Sequence, residues 1–134
     1  MKNYTIKEMS QRYQVPASTL RYYEEIGLLE HVGRTANQQR IYTQEHILRM
    51  DGIACFKNTG LPIAQIQEFY RYESDIPANI DEIIALVEKH EMETTRQIEK
   101  MKNDLLHIQH KVRFYRGIKE AIEKQVKWPE WDEV

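Results

Sequence analysis

Cysteine is nearly absent. Cys55 stands alone in 134 residues, so no disulfide can close within the chain, and a reducing, cytoplasmic setting is expected. No apolar run approaches the roughly 20 residues that a membrane span needs, and the N-terminus lacks the apolar centre of a secretion signal. No membrane partner is therefore expected. Glycine and proline are sparse, at five and four residues, and no Gly-rich phosphate loop is formed. The five histidines make no compact cluster, and one thiol is poor provision for a soft metal, so neither a metal site nor a cofactor is expected. His107 and His110, three apart, read as a solvated helix face. No nucleophile–base pair stands at recognisable spacing, which argues against an enzyme.

What is present suits a foldable protein of one modest domain plus an extension: 41% apolar and 30% charged residues. The net charge of -2 conceals an asymmetry. Residues 1–60 carry eight Lys and Arg against six Asp and Glu, whereas residues 61–134 carry eleven against fifteen. Phosphate contact is permitted for the first part and disfavoured for the second.

The first helix has a complete start signal in Thr5-Ile6-Lys7-Glu8, a capping box, with Tyr4 and Met9 at staple positions. Its apolar row Ile6, Met9, Tyr13 is interrupted at Gln14-Val15-Pro16, and Pro16 can open a second helix. There Ala17, Leu20 and Tyr23 or Glu24 share one face, leaving Ser18, Arg21, Tyr22 and Glu25 on the other. Two short helices with a tight turn predict a helix-turn-helix or a plain helical hairpin. Gly27-Leu28-Leu29 ends the second helix, and residues 30–42 lose helical periodicity in a way that suits a small β-hairpin. Asn37 is the natural positive-φ residue at its tip, Gln38 less so. Thr43 caps a third helix with inner row Ile47, Met50, Ala54. Asn58-Thr59-Gly60 stops it, and Pro62 starts a fourth that turns Ile63, Ile66 and Tyr70 inward.

Tyr4-Thr5-Ile6, Thr19-Leu20-Arg21-Tyr22-Tyr23-Glu24, Gly27-Leu28-Leu29, Arg34, Arg40-x-Tyr42 and Thr59-Gly60-Leu61-Pro62-Ile63 stand in order across residues 4–70. As a set they resemble the MerR family of transcription regulators. His31 stands where many members place a proline, and Gln38 where a glycine is usual. The resemblance implies a mainly α fold: a winged helix-turn-helix over 1–76, a long dimerising coiled-coil helix over 77–124 and a short tail over 125–134. It also implies sequence-specific binding of double-stranded promoter DNA, distortion of that DNA in response to a signal, and action on RNA polymerase at the promoter. The second helix would enter the major groove. Arg21 is the first choice for contact, because its guanidinium can fork onto phosphate or a guanine edge. Ser18, Thr19, Tyr22 and Tyr23 are further candidates on that helix, one of the two tyrosines being partly core by helical phase. Arg40 and Tyr42 are wing candidates, and Arg34 and Lys57 stand between contact and solvated surface.

Asn79-Ile80-Asp81-Glu82 repeats the capping-box pattern and opens a segment without Gly or Pro until Gly117. Alternating steps of four and three residues pick out Ile80, Ile84, Val87, Glu91, Thr94, Ile98, Met101, Leu105, Ile108, Val112, Tyr115, Lys119 and Ile122. Such sustained spacing indicates a coiled coil. Helical over 80–124, the segment would run about 65 Å at ~1.5 Å per residue, too long to bury its stripe on its own domain. The resemblance implies an antiparallel homodimer built on Ile84, Val87, Ile98, Met101, Leu105, Ile108, Val112 and Tyr115.

The signal is open. Cys55 and Lys111-Val112-Arg113-Phe114-Tyr115 are similar to a MerR branch with a single cysteine after the wing, associated with aldehyde, electrophile or thiol stress responses. Cys55 is on that basis the sensor candidate. Periodicity alone also allows a buried, inert thiol, since Leu48, Gly52 and Cys55 border the apolar face of the third helix. Trp128 and Trp131 would line an effector pocket or pack against a partner subunit. Alternatives to covalent sensing are a reversibly bound small molecule, or a non-regulatory DNA-architectural or adaptor role.

Overall fold

A computed structural model describes residues 2–134. It runs α1 (Ile6–Tyr13), α2 (Ala17–Glu25), β1 (Gly33–Arg34), β2 (Arg40–Ile41), α3 (Gln44–Asn58), α4 (Ile63–Glu73), α5 (Ile76–Lys124) and a final 3-10 turn (Trp131–Glu133). The chain divides into two compact units, one ending at Glu88 and the other Lys89–Val134. No helix among the described residues is long and apolar enough to cross a membrane.

In the first unit, local chemistry sets the helix ends. The Thr5 hydroxyl accepts the Glu8 N–H at 3.1 Å and the Glu8 carboxylate accepts the Thr5 N–H at 3.0 Å. Those bonds hold the Glu8 carboxyl below its usual range. Pro16 and Pro62 take the N-cap positions of α2 and α4, where no N–H is required. Two Schellman motifs close α2 and α3. Gly27 and Gly60 adopt φ 82° and 90°, while Leu28 and Leu61 donate back to the carbonyls of Tyr23 and Phe56 at 2.8 and 2.9 Å. Each leucine is thereby turned into the core.

That core unites Met9, Leu20, Tyr23, Leu28, Leu29, Tyr42, Ile47, Met50, Ile53, Leu61 and Ile66. The inner row of α3 uses Ile53, fully buried, in place of the expected Ala54, which is half-buried. Tyr4 and Tyr42 exchange backbone hydrogen bonds at 2.8 and 2.9 Å, tying the N-terminus to the exit of the hairpin. His46, buried at the start of α3, accepts the Thr43 N–H on Nδ1 at 2.9 Å. Its Nε2 lies 2.7 Å from the Glu30 carbonyl. The Thr43 donor assigns the proton to Nε2, so the ring bridges the hairpin's two flanks.

Gly52 decides how α3 meets α4. A Cβ there would collide with the Tyr70 hydroxyl, whose ring lies 4.0 Å from the Arg49 guanidinium. Arg49 also donates to the Leu28 carbonyl at 3.0 Å. Gly52→Ala gains about 1 kcal/mol in helix propensity but overpacks a contact, at a cost of about 1–3 kcal/mol. A net loss of stability is expected in urea unfolding, relieved by adding Tyr70→Phe. Equal midpoints for wild type and Gly52→Ala would refute the collision.

Burial pushes the Tyr70 phenol up to about 12, against partial relief from Arg49. The free phenol ionises near pH 10, so the unfolded chain ionises first. This contribution to stability is whole below pH 10 and falls as pH rises towards about 12. Tyr70→Phe should flatten that alkaline loss in circular-dichroism unfolding curves between pH 9 and about 12.

The start of α5 departs from the predicted capping box. The helix begins at Ile76, and Asn79 interrupts it with φ -123° and ψ 17°. Its side-chain amide donates to the Tyr72 and Asp75 carbonyls at 3.1 and 3.0 Å. The amide adds a second donor to two carbonyls at the α4–α5 junction, and α5 kinks there. Leu86 packs on the core.

The second unit contains the rest of α5 and the tail. Gln125, with φ 55°, ends the helix, and Val126 donates to the Ala121 carbonyl at 3.0 Å. The Trp131 ring stacks on the His110 imidazole, centroids 4.0 Å apart and planes within 4°, and meets Phe114 edge-on at 5.1 Å. His110 Nε2 lies 2.7 Å from the Trp131 carbonyl oxygen. His110 is thus covered, not solvated as expected; a residue distant in sequence folds back over it. Gly117 makes room, since a Cβ there would stand 3.1 Å from Pro129 Cγ. Trp131 packs on its own helix, whereas Trp128 is 55% exposed.

Candidate nucleic-acid interface

Helix α2 buries Leu20 and Tyr23 and turns Ser18, Arg21, Tyr22 and Glu25 outward. Thr19 is half-buried and donates its N–H to the Pro16 carbonyl at 3.0 Å. Arg21 is exposed and, among the described residues, forms no ion pair. It borders an open groove of about 650 Å³ whose other walls include Tyr4, Lys7, Thr35, Gln39 and Arg40. The groove thus runs from the N-terminal segment across α2 to the hairpin.

The hairpin pairs Gly33 with Ile41 and Arg34 with Arg40. At its tip Gln38, not Asn37, takes the positive φ, 65°. The reason lies in the hydrogen bonds around it. Gln38 N–H donates to the Thr35 carbonyl at 2.9 Å, Thr35 N–H to the Gln39 carbonyl at 2.8 Å, and Gln39 N–H to the Thr35 hydroxyl at 3.1 Å. Thr35 organises the turn, so the left-handed residue falls one position later than side-chain preference indicates.

Glu24 joins this wing to α2. Its carboxylate accepts from Arg40 Nε at 2.6 Å and from Arg34 Nη2 at 3.1 Å. Sequence reading placed Glu24 in a motif without assigning it a role. The signal that would have found it is helical phase: Glu24 shares the inward side of α2 with Leu20 and Tyr23, whereas Glu25 faces outward, and an inward carboxylate calls for a basic partner. Arg40, a wing candidate for DNA contact, and Arg34, which stood between contact and solvated surface, are both paired across this clamp in the free chain. Tyr23 and Tyr42 correct the expectation more sharply. Tyr23 is 3% exposed, and its hydroxyl accepts from Lys57 Nζ at 3.4 Å. Tyr42 has no exposed surface, and its hydroxyl is enclosed. Burial also pushes that phenol up from its ordinary range. Both rings anchor the unit, because the helix and hairpin close over them, while Tyr22 remains open to solvent.

Glu24→Gln keeps a hydrogen-bond acceptor and removes the charge. Freed Arg34 and Arg40 should steepen the salt dependence of binding to random duplex DNA by about one to two units of slope. Discrimination between operator and random DNA should fall as the wing loosens. An unchanged slope in salt-titrated anisotropy would show that the clamp does not restrain the two arginines.

Cys55 is exposed, which corrects the reading of it as a buried packing residue. It lines a cavity of about 550 Å³ with Leu48, Phe56, Phe69, Glu45 and Glu73. Lys57 is exposed two residues on. No group of three or more His, Cys, Asp or Glu among the described residues could hold a metal ion.

Similarities to known proteins bear on this site. Over 116 residues the chain is 29% identical to an uncharacterized HTH-type transcriptional regulator of Haemophilus influenzae, spanning 87% of this chain and 86% of that one. It is 36% identical over 64 residues to the HTH-type transcriptional regulator AdhR of Bacillus subtilis, covering 48% and 46% of the two chains. The structure matches that of HiNmlR, described as a MerR family regulator lacking the sensor domain and bound to promoter DNA. The TM-score is 0.82, with 28% identity and 90% and 91% of the chains covered. The family model for MerR HTH family regulatory proteins matches residues 4–73. That span is more than half of the chain and holds α1 to α4 with the wing, so the protein belongs to the MerR family of transcription regulators.

Proposed function

We propose that two copies of this regulator pair through α5 as an antiparallel coiled coil and bind two half-sites of one promoter. The observation that carries the reading is the uncovered stripe on α5. Ile84, Ile98, Met101, Leu105, Ile108, Val112 and Tyr115 are each 43–69% exposed, and Val87 is half-buried. A heptad row left open in one chain calls for a second helix. The HiNmlR–promoter structure supports duplex DNA as the ligand. Arg21, with Ser18, Thr19 and Tyr22, would meet the major groove, and the wing with Arg34 and Arg40 would meet the backbone. Lys57 would add phosphate contact. The dimer would act in the cytoplasm, distorting the promoter so that RNA polymerase can use it.

For the signal, the exposed thiol of Cys55 beside a cavity supports modification by an electrophile such as an aldehyde. The added group would alter packing against Phe69 and Glu73 in the last turns of α4, next to α5. Transcription with purified polymerase and a footprint of the promoter test both levels. A regulator gives two protected half-sites and a change in transcript yield; an architectural protein gives protection alone. Cys55→Ala should abolish the response to formaldehyde while leaving the footprint. A retained response would transfer the signal to a reversible ligand.

A further inference from the structure

We infer that the Tyr42 hydroxyl is a positioning donor for DNA binding: it takes over the Glu24 carboxylate when Arg34 and Arg40 leave Glu24 for phosphates. This rests on the wing contact proposed above. It joins two deficits, one present in the free chain and one that binding would create. The first is the hydroxyl itself. Tyr42 has no exposed surface, and its oxygen has no hydrogen-bond partner among the described residues. A buried hydroxyl without a partner loses its bonds to water with nothing in return, and such groups are rare enough to need a reason. The ring accounts for its own burial, since it packs in the core with Leu20 and Tyr23 of α2 and meets His46 edge-on at 5.6 Å. The oxygen adds nothing to that packing.

The second deficit falls on Glu24. In the free chain Oε2 accepts from Arg40 and Oε1 from Arg34, and the side chain is only 24% exposed. Turned to phosphate, the two arginines leave a largely covered carboxylate unpaired next to DNA. Tyr42 stands where a replacement donor is needed. The backbone runs extended from Arg40 to Tyr42, which bridges to Tyr4, so side chains two apart share a face. Arg34 pairs directly with Arg40 and shares that face too. Burial keeps the phenol in its protonated, donating form, and the charges acting on it are those of Arg40, Glu24, Arg34 and Arg21. Released by its arginines, the carboxylate accepts from Tyr42. Both deficits then close, and β2 stays tied to α2 while the arginines hold the DNA backbone.

Tyr42→Phe tests this in the full chain, by salt-titrated anisotropy on a labelled random-sequence duplex and by thermal unfolding without DNA. The free variant should melt at or above the wild-type temperature, because a bond absent from the free chain cannot be lost. Affinity for the duplex should fall about tenfold, as expected for loss of a hydrogen bond to a charged group. In a Glu24→Ala background the same substitution should cost no affinity, since no carboxylate is left to receive the hydroxyl. A lower melting temperature, an unchanged affinity, or an equal loss in both backgrounds overturns the handover. A variant carrying both Arg34→Ala and Arg40→Ala tells which step failed. A salt slope shallower by about 0.9 for each lost contact keeps the wing on phosphate. An unchanged slope removes the wing contact, and the handover with it.

Discussion

Met101→Glu is expected to give a folded chain that sediments as a monomer and binds its operator about a thousandfold more weakly, within the range by which linking two binding units raises avidity. Met101 is 69% exposed, so the chain's own core does not depend on it. Met101 is the middle member of the stripe from Ile80 to Ile122, so the proposed antiparallel pairing, covering both stripes fully, places it beside the two-fold axis, where each copy's residue meets its own counterpart. Two carboxylates at about 5 Å repel by roughly 3 kcal/mol at an effective dielectric of 20, besides the apolar contact they replace. Met92→Glu is the control: Met92 is 64% exposed but lies off the stripe, and its variant should remain a dimer. A dimeric Met101→Glu in analytical ultracentrifugation would remove the stripe, or its register, from the interface.

Arg21→Ala should lower operator affinity about 5- to 150-fold, the equivalent of ~1–3 kcal/mol for a well-placed guanidinium contact. Its melting temperature should be that of the wild type, since Arg21 makes no ion pair among the described residues and lies outside the core. The salt dependence then separates the two uses of the guanidinium. A slope shallower by about 0.9 marks a phosphate contact, whereas a preserved slope with lost sequence discrimination marks a base contact. Arg21→Lys should recover part of a phosphate contact and little of a forked base contact. Unchanged affinity at fixed salt would take Arg21 off the interface. Arg34→Ala and Arg40→Ala should be harder to read, because each also releases Glu24.

Features governed by near neighbours were legible in the sequence. The capping box at Thr5, the glycine stops at Gly27 and Gly60, and the outward face of α2 depend on residues within a turn or two. So did the α5 stripe: a single long helix repeats its pattern often enough for spacing alone to identify the face. Features depending on contacts between distant residues were not legible. Helical phase left Tyr22 and Tyr23 unresolved, and the family resemblance placed Tyr42 at the DNA, because closure of the hairpin over the helices decides which ring is enclosed. The wing tip escaped for a local reason: the hydrogen bonds of Thr35 to Gln38 and Gln39, rather than the preference of Asn37, chose Gln38 for the left-handed position.

Helix ends and helix faces were therefore determined by the amino-acid sequence itself, through local propensity and hydrophobic period, and the family by the ordered motifs across residues 4–70. Tertiary structure alone decided that Glu24 holds both wing arginines, that Gly52 admits Tyr70, that Trp131 covers His110, and that Cys55 opens onto a cavity. Each of these joins residues ten or more apart in the chain. Their separation carries no periodic signal, and only the packing of completed elements brings such groups within a few ångströms.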